Sequence, residues 1–434
     1  MSRHDVIVVG IGLAGLTAAA RLAQSGARVL VLAKGVGATH HSGATIDVLG
    51  YAPDRVEHPG EAVDALVSER PGHPYAAVGA SGVAAALEWF QGQVAAGPLA
   101  PYAYSGGLEE NLLLPTAVGA AKPTAAAPVT MTRGDLRDDA ELCIVGLRGL
   151  KDFHATLAAD NLARAGHRTR SVELDVTPPS GSRVDATPLA FARAFDDPGF
   201  RAEVAAQLVN RPTAAERLGF PAVLGIADPH AAWADLEHRC GRPVFEVPTL
   251  PPSVPGMRVF ATLRDAVRRA GARDHRVEDD LAARATGGRI ESLRAHIGLR
   301  ETDFGAGWVV LATGGFAHGG LELSSRWTVR ETALGLPVSG VPGPGEPRFR
   351  SDYLADQPMA RAGVATDAEL RPLDAGSQRV YDNVLVAGAT LAGAEPWREK
   401  SGDGISLATG YRAAELIRPA PPAAAGPVHT GAEA

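Results

Sequence analysis

The sequence predicts an α/β protein, a Rossmann-like parallel sheet interrupted by an inserted α/β substrate (cap) domain. Three observations predict it. A β-branched run, Val6-Ile7-Val8-Val9, leads straight into Gly10-Ile11-Gly12-Leu13-Ala14-Gly15 and a helical stretch over 16–24. Two later apolar runs, 308–313 and 383–387, also end in glycines, as strands returning to a buried parallel sheet do. Between these blocks, from about residue 52 to 250, the regularity breaks into Pro/Gly-rich punctuation around a second strand–turn–helix pattern at 142–164.

The opening elements follow from local chemistry. Val6 to Val9 suit a strand buried on both faces. The helix over 16–24 closes at Ser25-Gly26, where glycine accepts a left-handed cap. A second strand over 28–33 completes a βαβ unit of roughly thirty residues. Further along, an amphipathic helix is expected over 257–269, polar strands over 274–302 and a last helix over 405–417. The expected division is a first part of the nucleotide-binding domain at 1–80, the inserted domain at 81–247, the returning part at 248–418 and a disordered tail at 419–434.

The bulk properties narrow the function. The chain has 434 residues, with 45% hydrophobic and 21% charged, so it can bury a large core unaided. A net charge of −7 argues against a nucleic-acid binder. The two cysteines, Cys143 and Cys240, have no paired spacing, which excludes a Cys-ligated cluster or zinc ribbon and fits a reducing compartment. No metal site is expected. The apolar run at the amino terminus enters a glycine fingerprint instead of a cleavage site, and no long uninterrupted apolar stretch follows. The expected location is cytoplasmic, peripheral at the inner face of the cell membrane through partners only.

The glycine spacing carries the chemistry. Gly10 allows the tight turn, Gly12 lets a pyrophosphate approach the backbone and Gly15 permits close helix–strand packing. The free N–H groups at Leu13 and Ala14 and the helix dipole then favour an anion. This context makes the pattern an FAD/NAD(P)-binding fingerprint. One feature departs from it: the second strand ends Ala33-Lys34, where an acid for a ribose is expected. Lys34 can neutralise a phosphate but cannot accept hydrogen bonds from a sugar. The late strands at Ala312-Thr313-Gly314 and at Gly388, with the helix start at Gly404-Ile405, favour a flavin over a nicotinamide, because a late helix dipole can stabilise a reduced flavin ring.

Read in order, these blocks resemble a known family. They are Gly10 to Gly15, the loop 39–47 (Thr-His-His-Ser-Gly-Ala-Thr-Ile-Asp), 144–153, 248–254 with Gly256 and Arg258, 312–316 with 319–321, 363–367 with 370–372, and 383–389. The chain resembles the B-subunit family of anaerobic glycerol-3-phosphate dehydrogenase, a branch of the succinate dehydrogenase/fumarate reductase flavoprotein group. The resemblance implies a flavoprotein that takes part in oxidising sn-glycerol 3-phosphate to dihydroxyacetone phosphate. It implies two partners, a catalytic flavoprotein like the A component of such complexes and an iron–sulfur protein like their C component, with electrons passing towards quinone. It also implies FMN, whereas the dinucleotide fingerprint favours FAD. Two alternatives stay open: a self-contained flavin oxidoreductase of the fumarate reductase group, and a flavin-binding component without chemistry of its own.

Oxidation of an alcohol needs a base, a hydride acceptor and a cationic clamp for the phosphate. His40 is the candidate flavin-side or catalytic histidine, and His41 lies near where some members of the wider group attach flavin covalently, although the resemblance implies a non-covalent flavin. Ser42, Gly43 and Thr45 are candidate hydroxyl and backbone contacts, although turn capping is the simpler role for such residues. Arg258 and Arg330 lead the phosphate candidates, with Lys122 and Arg133 beside them, because guanidinium forks match phosphate oxygens. His318 is a further loop histidine. Cys143 and Cys240 read as inert core residues.

Overall fold

The computed structural model describes residues 2–180, 185–209, 211, 216–352 and 355–417. The expected tail at 419–434 lies outside them. The chain begins with β1 (Ser2–Val9), α1 (Leu13–Gln24) and β2 (Val29–Ala33). Two helices follow, α2 (Pro59–Glu69) and α3 (Gly79–Ala95). The β-branched run fixes β1 at the centre: Val6, Ile7 and Val8 are completely buried, as a two-faced strand requires.

A second parallel sheet then forms from β3 (Leu142–Leu147), β4 (Thr169–Leu174), β5 (Arg217–Pro221) and β6 (Val244–Val247), in the order β6-β5-β3-β4. Helices α4 (Ala155–Arg164), α5 (Pro188–Phe195), α6 (Pro198–Leu208) and α7 (Pro229–Cys240) accompany it. Its core is separate, built around Ile144, Phe191, Phe220, Leu236 and Phe245. The helix α3 shares the first core through Val83, Leu87 and Phe90, so residues 81–95 do not pack with the inserted sheet.

The chain returns through α8 (Val254–Arg269), whose first turn is capped by Ser253 accepting from the Gly256 N–H. Then come β7 (Arg273–Arg276), β8 (Ala282–Thr286), β9 (Arg289–Ile297), β10 (Arg300–Leu311) and β11 (Val384–Val386), and finally α9 (Gly402–Leu416). The polar stretch expected near 274–302 thus becomes one parallel edge strand and an antiparallel arm. The main sheet has 7 strands in the order β7-β2-β1-β10-β9-β8, with β11 paired to β10. Strand β10 changes partner along its length. Its first half pairs antiparallel with β9, and Val309 to Leu311 pair parallel with β11.

The parallel strands β1, β2, β10 and β11 therefore end on one edge. The loops after them are 10–12, 34–48, 312–320 and 387–401, and all of them converge there. In open parallel sheets this is the edge where ligands bind.

Candidate functional site

The turn after β1 is set by two glycines that cannot be replaced and one that leaves room. Gly10 has φ +115°, and a Cβ there would lie 2.1 Å from the Ala312 carbonyl oxygen. A Cβ on Gly15 would lie 2.1 Å from the Gly10 carbonyl oxygen. Gly12 is different: nothing stands within 4 Å of its Cβ position. It caps α1 in an extended conformation with no side-chain cap, and the first turn holds no acid. The opening N–H groups, at Leu13 and Ala14, have no intrahelical partner by geometry. The α1 terminus is thus an open, positively biased cradle that suits an anion such as a phosphate. Buried hydroxyls nearby, Thr17 Oγ1 and Thr39 Oγ1, make no protein hydrogen bond, and the same holds for His40 Nε2. These features fit a phosphorylated flavin.

At the end of β2 the Ala33 carbonyl accepts from the Val277 N–H at 3.0 Å. Lys34 Nζ lies 2.5 Å from Asp280 Oδ1. The lysine hydrogen bond, with its charge next, holds the Asp280 carboxyl below the usual range. Both residues line a cleft of about 960 Å³ together with Arg330, Phe316 and Trp397. Arg330 shares this cleft while its guanidinium bonds Glu322. Lys34 and Arg330 lie almost three hundred residues apart in the sequence, and the fold brings them to one surface. Asp280 was not foreseen, since it comes from the segment after a distant edge strand.

A polar cluster joins the loop after β2 to the start of α9. Lys122 Nζ donates to Thr45 Oγ1 at 2.6 Å and to Asp47 Oδ2 at 2.8 Å. The other Asp47 oxygen accepts from Thr124 Oγ1 at 2.6 Å. Ser42 Oγ stands 3.3 and 3.4 Å from the two Asp403 oxygens and accepts the Ala44 N–H. Burial, and then the Asp47 charge, push the Asp403 carboxyl up to about 7, against the pull of Lys122 and Ser42. Of this cluster, only Ser42, Thr45 and Lys122 were legible as candidates. Asp47 closes the sequence block 39–47 and Asp403 directly precedes the helix start at Gly404, with nothing local to show that the fold would join them.

Several expected contacts are used internally. The Gly404 N–H donates to the Asp47 carbonyl at 2.9 Å, and the Ile405 N–H to the Ser401 carbonyl at 2.9 Å. The first turn of α9 is therefore tied to the loop, and these two expected cofactor-binding residues spend their amides inside the protein, which leaves the helix dipole as what they could offer a ring. The Gly314 N–H donates to Thr390 Oγ1 at 3.0 Å, beside Thr313 Oγ1. The Ala312 N–H pairs with the Val9 carbonyl. Gly388 packs against α1, where a Cβ would meet Ala14 Cβ at 2.9 Å. Gly43 sits close against Pro248.

The histidines take different positions. The His40 ring meets Phe260 edge-on at 4.8 Å, and burial, followed by the His41 charge, lowers its pKa. The exposed His41 stacks on His318 at 5.9 Å. Arg258 is the clear correction. Its side chain is fully buried, with Nη1 and Nη2 bonded to Glu246 at 2.8 and 3.0 Å, and Nε and Nη2 bonded to the Gly225 carbonyl. The guanidinium fastens α8 to the inserted sheet and has no face left for a phosphate. Arg133 lies elsewhere, beside Arg217 and Trp233 in a smaller hollow.

The family model described as "FAD binding domain" matches residues 5–405. A relative from Halobacterium salinarum, named as a probable B subunit of anaerobic glycerol-3-phosphate dehydrogenase, is 32% identical over 94% of this chain and 96% of its own. A relative from Pectobacterium carotovorum, named as the B subunit of anaerobic glycerol-3-phosphate dehydrogenase, is 31% identical over 96% of this chain and 98% of its own. A looser likeness, with TM-score 0.47 and 14% identity, covers 96% of this chain and 99% of a 3-ketosteroid delta1-dehydrogenase from Sterolibacterium denitrificans. With one model spanning most of the sequence and relatives above 30% identity along nearly its whole length, the chain belongs to the FAD binding domain family and, within it, to the B subunits of anaerobic glycerol-3-phosphate dehydrogenase.

Proposed function

We propose that this chain is the FAD-carrying component of a glycerol-3-phosphate dehydrogenase. In this reading it takes part in oxidising sn-glycerol 3-phosphate to dihydroxyacetone phosphate and sends the electrons through an iron–sulfur partner to quinone. The observation that carries the reading is the open cradle at Gly12, set against the polar loop 39–47 on the same sheet edge. Family membership supplies the substrate class.

The N–H groups of Leu13 and Ala14 and the α1 dipole would hold the pyrophosphate. Lys34, Asp280 and Arg330 would border the adenosine end, and a cleft there favours the longer cofactor, FAD, over FMN. A flavin bound here supplies an acceptor for carbon-bound hydride and a donor of single electrons. Ser42 and Thr45 would orient polar groups on the ring side, while Lys122, ion-paired with Asp47, holds the Thr45 hydroxyl in place. His40, within the same loop, carries a buried Nε2 without a protein partner that would serve as a donor or acceptor.

The cysteine count supports an iron–sulfur partner. Two cysteines cannot ligate a four-thiolate cluster, and burial pushes both thiols up to about 11. In this reading the one-electron carriers belong to other proteins of the complex. Among the described residues no helix is long and apolar enough to cross a membrane.

The test is an absorbance spectrum of purified protein with and without sn-glycerol 3-phosphate, followed by chromatography of the released cofactor. The reading expects a yellow protein that the substrate bleaches under anaerobic conditions and that releases FAD. Colourless protein that takes up neither FAD nor FMN would refute it.

A further inference from the structure

The polar cluster at the start of α9 contains two carboxylates and one committed cation. Lys122 is held by Asp47 and Thr45, and the second Asp47 oxygen is closed by Thr124. Asp403 has only the Ser42 hydroxyl, at 3.3 and 3.4 Å, and forms no ion pair among the described residues. Its place is set by the packing of α9 on α1. A Cβ at Gly410 would lie 2.3 Å from the Ala14 carbonyl oxygen, and one at Gly404 would lie 2.4 Å from the Tyr75 hydroxyl. Asp403 thus stands at the start of α9 on the ligand-binding sheet edge, facing the loop 39–47 through Ser42.

We propose that Asp403 is the proton acceptor in this chain, a role that rests on the flavin-oxidoreductase reading above. As the C2–H bond of the alcohol breaks and its hydrogen leaves with the electron pair for the flavin, the O–H bond breaks and its proton passes to an Asp403 oxygen. The carbonyl forms, the substrate loses two electrons, the flavin gains them and the proton later leaves to solvent.

The surroundings suit that task. Two carboxylates competing for one ammonium cannot both ionise cheaply. Burial and the Asp47 charge accordingly place Asp403 near neutrality, where a base can both accept and release. The other facing groups leave that balance alone. Tyr75 and Tyr104 stay neutral, since burial raises both well above the usual phenol range and their hydroxyls donate to the Val48 and Ala44 carbonyls. Lys400 donates to the Trp397 carbonyl, and Glu399 is matched by His73 and Arg70. Asp47 and Lys122 remain as the tuning charges.

The experiment compares holo wild type with Asp403→Asn in anaerobic stopped-flow bleaching by sn-glycerol 3-phosphate across pH. The wild-type rate should rise with pH through an inflection near neutrality. Asp403→Asn should be slower by roughly 10²–10⁴-fold with that inflection gone. A second readout needs no turnover: infrared titration should show a protonated carboxyl band disappearing near neutrality in wild type and missing in Asp403→Asn. If Asp403→Asn loses its flavin, Ser42→Ala replaces it, and removal of the donor should move the inflection to higher pH. Bleaching of Asp403→Asn at the wild-type rate with the wild-type profile overturns the proposal alone, as does an unmoved inflection in Ser42→Ala. Wild type that holds flavin yet is not bleached overturns both this proposal and the function it rests on.

Discussion

At Gly10 and Gly15, backbone atoms occupy the space a side chain would need. Gly10→Ala puts a methyl 2.1 Å from the Ala312 carbonyl oxygen at φ +115°, so it should cost at least about 2 kcal/mol of folding stability, measured by urea denaturation. Arg258 teaches a similar lesson about buried charge. Removing it as Arg258→Met leaves Glu246 charged, buried and unpaired, and should cost about 3–5 kcal/mol. Arg258→Met with Glu246→Leu should recover most of that loss in the same denaturation series. Recovery would establish that the arginine serves packing between the two cores, while lost substrate oxidation in a stable double variant would restore its role as a phosphate ligand. The sequence could not separate these roles, because an arginine near a Pro-rich turn looks the same whether its fork meets a ligand or a carboxylate twelve residues earlier in the chain. The glycine spacing, in contrast, was legible, since only backbone geometry can demand glycine at positions 10 and 15.

Among the elements, α9 does most to assemble the site. Its Gly410 lies flat on α1, its first turn hydrogen-bonds the Asp47 carbonyl, and it carries Asp403 to Ser42. Gly410→Leu should force the two helices apart and reduce flavin content and thermal stability together, read by absorbance and by Tm. The strand–helix order of β1, α1 and β2 was readable because each element has its own period and punctuation. The pairing of residues 42, 47, 122 and 403 was not, because no local pattern reports which loops share a sheet edge. The apparent absence of an acid after β2 had the same cause: Asp280 arrives beside Lys34 only because β7 adds to the edge of the sheet.

Across the whole molecule, the buried Glu399 ties the loop before α9 to the helices near residue 70. Burial alone would raise its carboxyl, but the His73 hydrogen bond and the Arg70 and His73 charges outweigh that and bring it down to about 2. A carboxyl lowered in the folded state adds stability above its unfolded pKa of 4.5, and that stability is lost as pH falls towards about 2. Wild type should therefore weaken across this window, and Glu399→Gln should show a flatter acid limb in pH-dependent denaturation. The phosphate cradle stands or falls at Gly12. Its φ of −74° suits any residue and its Cβ position is empty, so Gly12→Val should fold as wild type does. The decisive measurement is equilibrium FAD binding by the apo forms of wild type and Gly12→Val, with circular dichroism to verify the fold. The folded variant should bind FAD at least a hundredfold more weakly than wild type; equally tight binding by a folded variant would mean that no phosphate sits against Gly12.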